Sequence, residues 1–121
     1  MRKLWSLLIC MLFLQIHAYS QQASSPGARK ALANEEIKSK LIRELRLTKK
    51  VAEKVVEIEM AFHSNLEAVE ALGDIKPKEK EIKLNEAHVT RRAQLAEVSL
   101  TGREMEDVIA IVENIRRKYK L

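Results

Sequence analysis

Three glycines, two prolines and a single cysteine are spread over 121 residues, and the aromatics amount to two phenylalanines, two tyrosines and one tryptophan. Each scarcity excludes something. The cysteine, Cys10, stands inside an apolar N-terminal run that reads as a leader. A chain processed there keeps no thiol for a disulfide or for nucleophilic catalysis, although export would have permitted disulfides. The glycines are isolated, which leaves no Gly-rich loop to cradle phosphate. There is no HExxH sequence and no serine or cysteine with a base nearby in sequence. Nowhere do apolar and polar residues alternate over the length of a strand. The chain therefore reads as all-helical and non-enzymatic, with no cofactor.

Met1-Arg2-Lys3 is a short basic segment, Leu4 to Ile16 is apolar, and Ala18-Tyr19-Ser20 places small residues at the two positions a signal peptidase reads. This is the pattern of a secretory signal peptide, residues 1–20, cleaved after Ser20. The apolar run falls short of the roughly 20 residues needed to span a bilayer, so no stable membrane anchor is expected. Cys10 lies within it behind Ile9 instead of a small residue, unlike a lipoprotein site. Removing Arg2 and Lys3 from the 22 basic residues leaves 20 against 17 acidic ones. That excess is too small to argue for nucleic acid, a partner that export removes in any case.

About 100 residues then remain, enough for one domain with a modest core. Residues 21–33 open polar, with Pro26 and Gly27, and read as a flexible leader. The helical domain is expected over 34–121. Ile37, Leu41 and Leu45 form one apolar edge of a first helix. A second runs from Thr48 to about Leu72, with Gly73 as its C-cap and a core stripe of Val51, Val55, Ile58, Phe62, Leu66 and Val69. Val56 and Met60 fall on its opposite side, as candidates for a dimer or partner surface. Pro77 is placed to start a third helix running to Leu100. That helix has two apolar sides, Ile82, Val89, Ala93, Ala96 and Leu100 on one and Leu84, Leu95 and Val98 on the other. A fourth helix, Gly102 to about Lys118, carries Met105, Val108, Ile109, Ile111, Val112, Ile115 and Tyr119.

Two of these starts are copies of one unit. Leu47-Thr48 and Leu100-Thr101 each place a leucine before a threonine able to cap a helix. From there Val55 matches Val108, Ile58 matches Ile111, Phe62 matches Ile115 and Leu66 matches Tyr119. The second copy has the spacing of a capping box, with Glu104 at the third helical position where the first has Val51.

An exported, helical chain of this size with two Leu-Thr helix starts about fifty residues apart resembles the Spy/CpxP-like periplasmic proteins, which carry repeated LTxxQ motifs. The match covers roughly Ile37 to Tyr119, with Leu47, Thr48, Leu100 and Thr101 at motif positions and Val51 and Glu104 where the family has glutamine. The resemblance implies an elongated, bent hairpin of four helices that dimerises into a cradle. It implies periplasmic location, with secretion as the alternative, and a role as an ATP-independent chaperone or envelope-stress protein. The partners implied are unfolded or partly folded envelope proteins, a sensor protein and a second copy of the chain. Metal response is the alternative function.

Two sets of residues can be set against those roles. Glu59, His63 and Glu67 recur at four-residue spacing on the second helix, so an imidazole and two carboxylates could converge on one ion. Residues 28–50 hold 8 basic and 3 acidic residues, whereas residues 51–74 hold 1 and 6. Attraction between the first two helices is one consequence, and a basic client-steering surface is the other. The partner-binding candidates are Arg43, Arg46, Arg91 and Arg92, with Val56 and Met60 as apolar anchors.

Overall fold

Each helix begins where a side chain or a proline deals with the free N–H groups of the first turn. The computed structural model describes residues 25–121, and the expected signal peptide and residues 21–24 lie outside them. Four helices follow: α1 Pro26–Leu45, α2 Lys49–Glu70, α3 Pro77–Glu97 and α4 Gly102–Lys118. No strand occurs among the described residues, and none of the described helices is long and apolar enough to cross a membrane.

α1 starts earlier than composition suggests. Ser25 accepts a hydrogen bond from the Ala28 N–H at 3.2 Å and Pro26 occupies the first helical turn. Residues 26–33 are therefore helix and not leader, and Ala33 is fully in the core. Ser-Pro followed by alanines outweighs the disorder-like composition, because proline at the first helical position forgoes only an N–H that has no helical acceptor. At the other end of α2 the helix stops at Glu70, with Ala71 as its cap. Gly73 does not adopt the left-handed conformation. α3 starts at Pro77 as expected and stops at Glu97, three residues short of Leu100.

The duplicated unit is structural. Thr48 accepts from Val51 N–H at 3.2 Å, and Thr101 accepts from Glu104 N–H at 3.2 Å. Only the second forms the reciprocal bond, Thr101 N–H to the Glu104 carboxylate at 3.0 Å. Just before each Leu-Thr pair a residue turns left-handed, Arg46 with φ 55° and Ser99 with φ 65°. These are separated by the same offset that relates Val55 to Val108.

α1 packs along α2 and α4, α2 packs most extensively on α3, and α3 touches α4 least. Neighbours thus close a cycle, and exchanging α1 with α3 and α2 with α4 maps the α2/α3 contact onto the α1/α4 contact. Val55, Val108, Val112, Leu41 and Leu95 are fully buried in one cluster with Ile37, Ile58 and Ile115. Full burial of such side chains stabilises by roughly 1.5–3 kcal/mol each. Phe62 is buried but sits outside this cluster. Val56, expected on an outer surface, packs against the cluster instead.

The opposite charges of α1 and α2 meet as Lys30–Glu67 at 3.3 Å and Lys38–Glu53 at 3.7 Å. α1 is tied to α4 by Lys118–Glu36 at 2.7 Å and by Arg29 donating to the Tyr119 carbonyl at 3.4 Å.

The two caps differ by one hydrogen bond, so their loss should differ too. Thr48→Ala should cost about 1 kcal/mol and Thr101→Ala up to about 2 kcal/mol, read as the shift in urea midpoint at constant slope.

Candidate functional site

The two halves of the cycle share one pattern of buried positions and differ in what fills two of them. On α1 the buried residues are Ala33, Ile37 and Leu41, and on α3 they are Ala87, Arg91 and Leu95. On α4, Val112 stands where the repeat places Glu59 on α2, and both are buried. One half is therefore apolar through Ile37 and Val112. The other carries a charge pair at the corresponding places.

Glu59 and Arg91 are 2% and 3% exposed. Arg91 Nε and Nη2 donate to the two Glu59 carboxylate oxygens at 2.9 and 2.6 Å. Nη2 also reaches Glu113 on α4 at 3.4 Å. The guanidinium lies over the Phe62 ring, 4.0 Å from its centroid. This bidentate, stacked geometry is the form in which a buried arginine is tolerated. Burial pushes the Glu59 carboxyl above the ordinary carboxylate range, and Arg91 pulls it back only in part.

His63 completes the cluster. Its ring meets Phe62 edge-on at 5.0 Å, and Phe62 also contacts His88 at 5.0 Å. The His63 Nε2 lies 3.8 Å from Glu59 and 3.6 Å from Glu113, too far for hydrogen bonds, and it is buried without a partner. Burial, reinforced by the charges of Arg116 and Arg91, lowers its pKa from 6.5 to about 4. The imidazole is neutral at pH 7. A cavity of about 460 Å³ opens between α2, α3 and α4, with Phe62, His63, Arg91, Glu113 and Arg116 on its walls.

The expected metal triad is not assembled. Glu59 is held by Arg91, Glu67 turns to Lys30, and no group of three or more His, Cys, Asp or Glu among the described residues is placed to hold an ion. A guanidinium occupies the coordination space that an ion would need at Glu59.

Nor do the six partner-binding candidates form one surface. Arg91 is internal, Val56 packs on the core and Arg92 pairs with Glu106 at 2.7 Å. Met60 is 52% exposed, beside Lys30 and Asn34. Arg43 and Arg46 are exposed and near the α1–α2 turn. Of the motif residues, Leu100 is buried, Leu47 is partly buried against the core, and Thr48 and Thr101 are caps.

Sequence reasoning missed the buried pair and the lysines that follow Thr48. The signal for Arg91 was its four-residue spacing from Ala87 and Leu95, and for Glu59 its alignment with Val112. Compared with known proteins, the chain matches no family model, no curated protein and no solved structure.

Arg91→Ile alone should cost roughly 3–5 kcal/mol, because Glu59 would stay buried without its partner. Pairing it with Glu59→Val copies the α1/α4 chemistry and should return stability to the wild-type value or above it by about 1–4 kcal/mol. Denaturant titration of the two single variants and the double variant gives the coupling directly.

His63 sets a pH window. Between 6.5 and about 4 the unfolded chain takes up a proton that the folded site refuses. Stability should then fall as pH drops through that interval, by at most about 3 kcal/mol. His63→Gln should flatten this part of a urea-midpoint series against pH.

Proposed function

We propose that this chain is an exported, non-enzymatic protein that holds partly folded, acidic polypeptide segments without nucleotide turnover. The observation that carries the reading is the basic end of the molecule. Arg43 and Arg46 flank the end of α1, and Lys49 and Lys50 occupy the first turn of α2. None of the four side chains has an ion-pair or hydrogen-bond partner among the described residues. Ile42, exposed at 37%, stands beside them. Lysines at a helix N-terminus oppose the helix dipole, and α2 has no acidic residue in its first turn to offset them. A local electrostatic cost with no internal return is expected where a surface is shaped for an anionic partner.

Charge of this kind accelerates encounter, and exposed apolar residues prolong contact. The resemblance to Spy/CpxP-like proteins supports the same role, with periplasmic clients and a homodimer as its further implications. The exported chain should suppress aggregation of a reduced, acidic model protein with no ATP present. Arg43→Glu with Arg46→Glu should slow capture about tenfold at low salt. The difference should shrink as salt shortens the Debye length below about 8 Å. Capture that is absent in the wild type, or equally fast in the charge-reversed variant with its helicity intact, overturns the reading.

A further inference from the structure

Of the three connections between the helices, two are specified by their own residues and one is not. The α1–α2 and α3–α4 turns each contain a left-handed residue, Arg46 and Ser99, followed by a leucine packed on the core and a threonine that caps the next helix. Residues 71–76 between α2 and α3 have none of these. No residue there has a positive φ, and Lys76 precedes α3 without a side-chain cap hydrogen bond. Leu72, Gly73, Asp74 and Lys76 are exposed, and no atom lies within 4 Å of where a side chain on Gly73 would begin. The segment connects without packing.

What it connects are two hairpins with ties of their own. Lys30–Glu67 at 3.3 Å and Lys38–Glu53 at 3.7 Å join α1 to α2, and Arg92–Glu106 at 2.7 Å joins α3 to α4. The most extensive packing nevertheless lies between the hairpins, where α2 meets α3 and α1 meets α4, while α3 meets α4 least. The buried Glu59–Arg91 pair crosses the same boundary, as do Glu70–Lys80 at 2.8 Å and Glu36–Lys118 at 2.7 Å. The principal interface of the molecule thus runs between residues 25–70 and residues 77–121, and a single exposed segment carries the chain across it.

We propose that a second copy of this chain is a partner for that interface: two copies exchange their α3–α4 hairpins and form a dimer of two four-helix bundles, each with α1 and α2 from one copy and α3 and α4 from the other. Every contact inside a bundle is kept, so only the course of residues 71–76 changes. Extended, these residues reach about 20 Å, twice the roughly 8–10 Å between the axes of packed helices. Pro77 disfavours helical geometry at Lys76, which is already extended with ψ 142°, so α2 and α3 stay separate helices when the connection opens. The two copies then meet at their α2–α3 ends, where Leu72 and Ile82 are 48% and 50% exposed in the closed chain. The dimer covers side chains that one copy leaves in water. The buried pair selects which hairpin is accepted. An α3–α4 hairpin brings Arg91 to Glu59, whereas a second α1–α2 hairpin would bring Ile37 there and strand the carboxylate. This interface is separate from the basic end at Arg43 and Lys49, so the two readings stand or fall independently.

The test divides the buried pair between two exported chains. Glu59→Val leaves Arg91 buried alone and Arg91→Ile leaves Glu59 buried alone, whether either variant stays closed or exchanges with itself. Unfolded in urea, mixed and refolded together, the two variants can form one bundle in which both substituted positions meet and a second with the native pair. Light scattering should give twice the mass of one chain, and native mass spectrometry should find one copy of each variant per dimer. The mixture should melt within about 5 °C of wild type, and each variant refolded alone should melt lower. A mixture without a mixed dimer, or one that melts as the separate variants do, overturns the proposal. Deleting Leu72 through Lys76 leaves Ala71 alone between α2 and α3, a connection of at most about 7.6 Å that cannot fold α3 back on α2. This chain, with the native pair intact, should be a helical dimer; a folded monomer or an unfolded chain overturns the proposal. In wild type refolded from urea the dimer fraction should rise with protein concentration, and a monomer at every concentration would count equally against exchange.

Discussion

A carboxylate and a guanidinium locked together in the interior set the terms for the rest of this molecule. Taking Glu59 and Arg91 out of water costs several kcal/mol per ion, and their mutual attraction offsets this only when every donor is used. Here the fork of Arg91 spans both oxygens of Glu59, its edge reaches Glu113, and its face rests on Phe62. The pair is therefore weak as a source of stability and strong as a constraint on register. A chain built from two similar halves faces a specific ambiguity, since α1 and α3 bury the same pattern of positions, as do α2 and α4. Ile37 cannot replace Arg91 opposite Glu59 without stranding a charge. The ion pair thus penalises the exchanged pairings by the cost of a stranded buried charge, a penalty that an all-apolar core of this repetition would lack.

The same substitution of chemistry shapes the space around it. In the half containing Ile37 and Val112 the residues join the continuous core. In the other half Phe62 leaves that core to cover the guanidinium, His63 follows it, and α3 touches α4 least of all neighbouring helices. The cavity lies in that opening. A duplicated architecture has one half that closes and one half that stays accessible, and the accessible half is where local rules are broken. Departures of this kind concentrate at sites that do something other than hold the fold together.

The helices and their caps were legible because they depend on local chemistry. Thr101 with Glu104 three residues on specifies a helix start before any tertiary contact forms, and the fourth helix begins and ends where the sequence places it. Pairing Val55 with Val108 also works, since both follow a start fixed by a threonine. Charge was the misleading signal. Glu59 lies in phase with Val55 and Phe62, and Arg91 in phase with Ala87 and Leu95, yet a charged residue on a helix is ordinarily solvated. Only the partner across the interface makes either one internal, and no spacing within one helix reveals that partner. The proline and glycine near the N-terminus misled in the reverse direction, suggesting a leader where Ser25 and Pro26 begin a helix.

What remains is an asymmetry in how the basic residues are satisfied. Two on α1, Lys30 and Lys38, meet acidic residues of α2, which ties those helices of opposite sign together without any ligand. Among those left over, Arg43, Arg46, Lys49 and Lys50 gather at the α1–α2 turn, where the dipole of α2 disfavours Lys49 and Lys50 while the C-terminus of α1 favours Arg43, and Arg116 lies partly buried on the wall of the open half. The first group is exposed, so water and salt weaken its field and it can act on large anionic partners chiefly during encounter. The second is partly desolvated, which strengthens its attraction for any anion that reaches it. Exposure alone therefore separates two electrostatic settings, a screened one at the end of the bundle and a less screened one inside it, from side chains of the same charge.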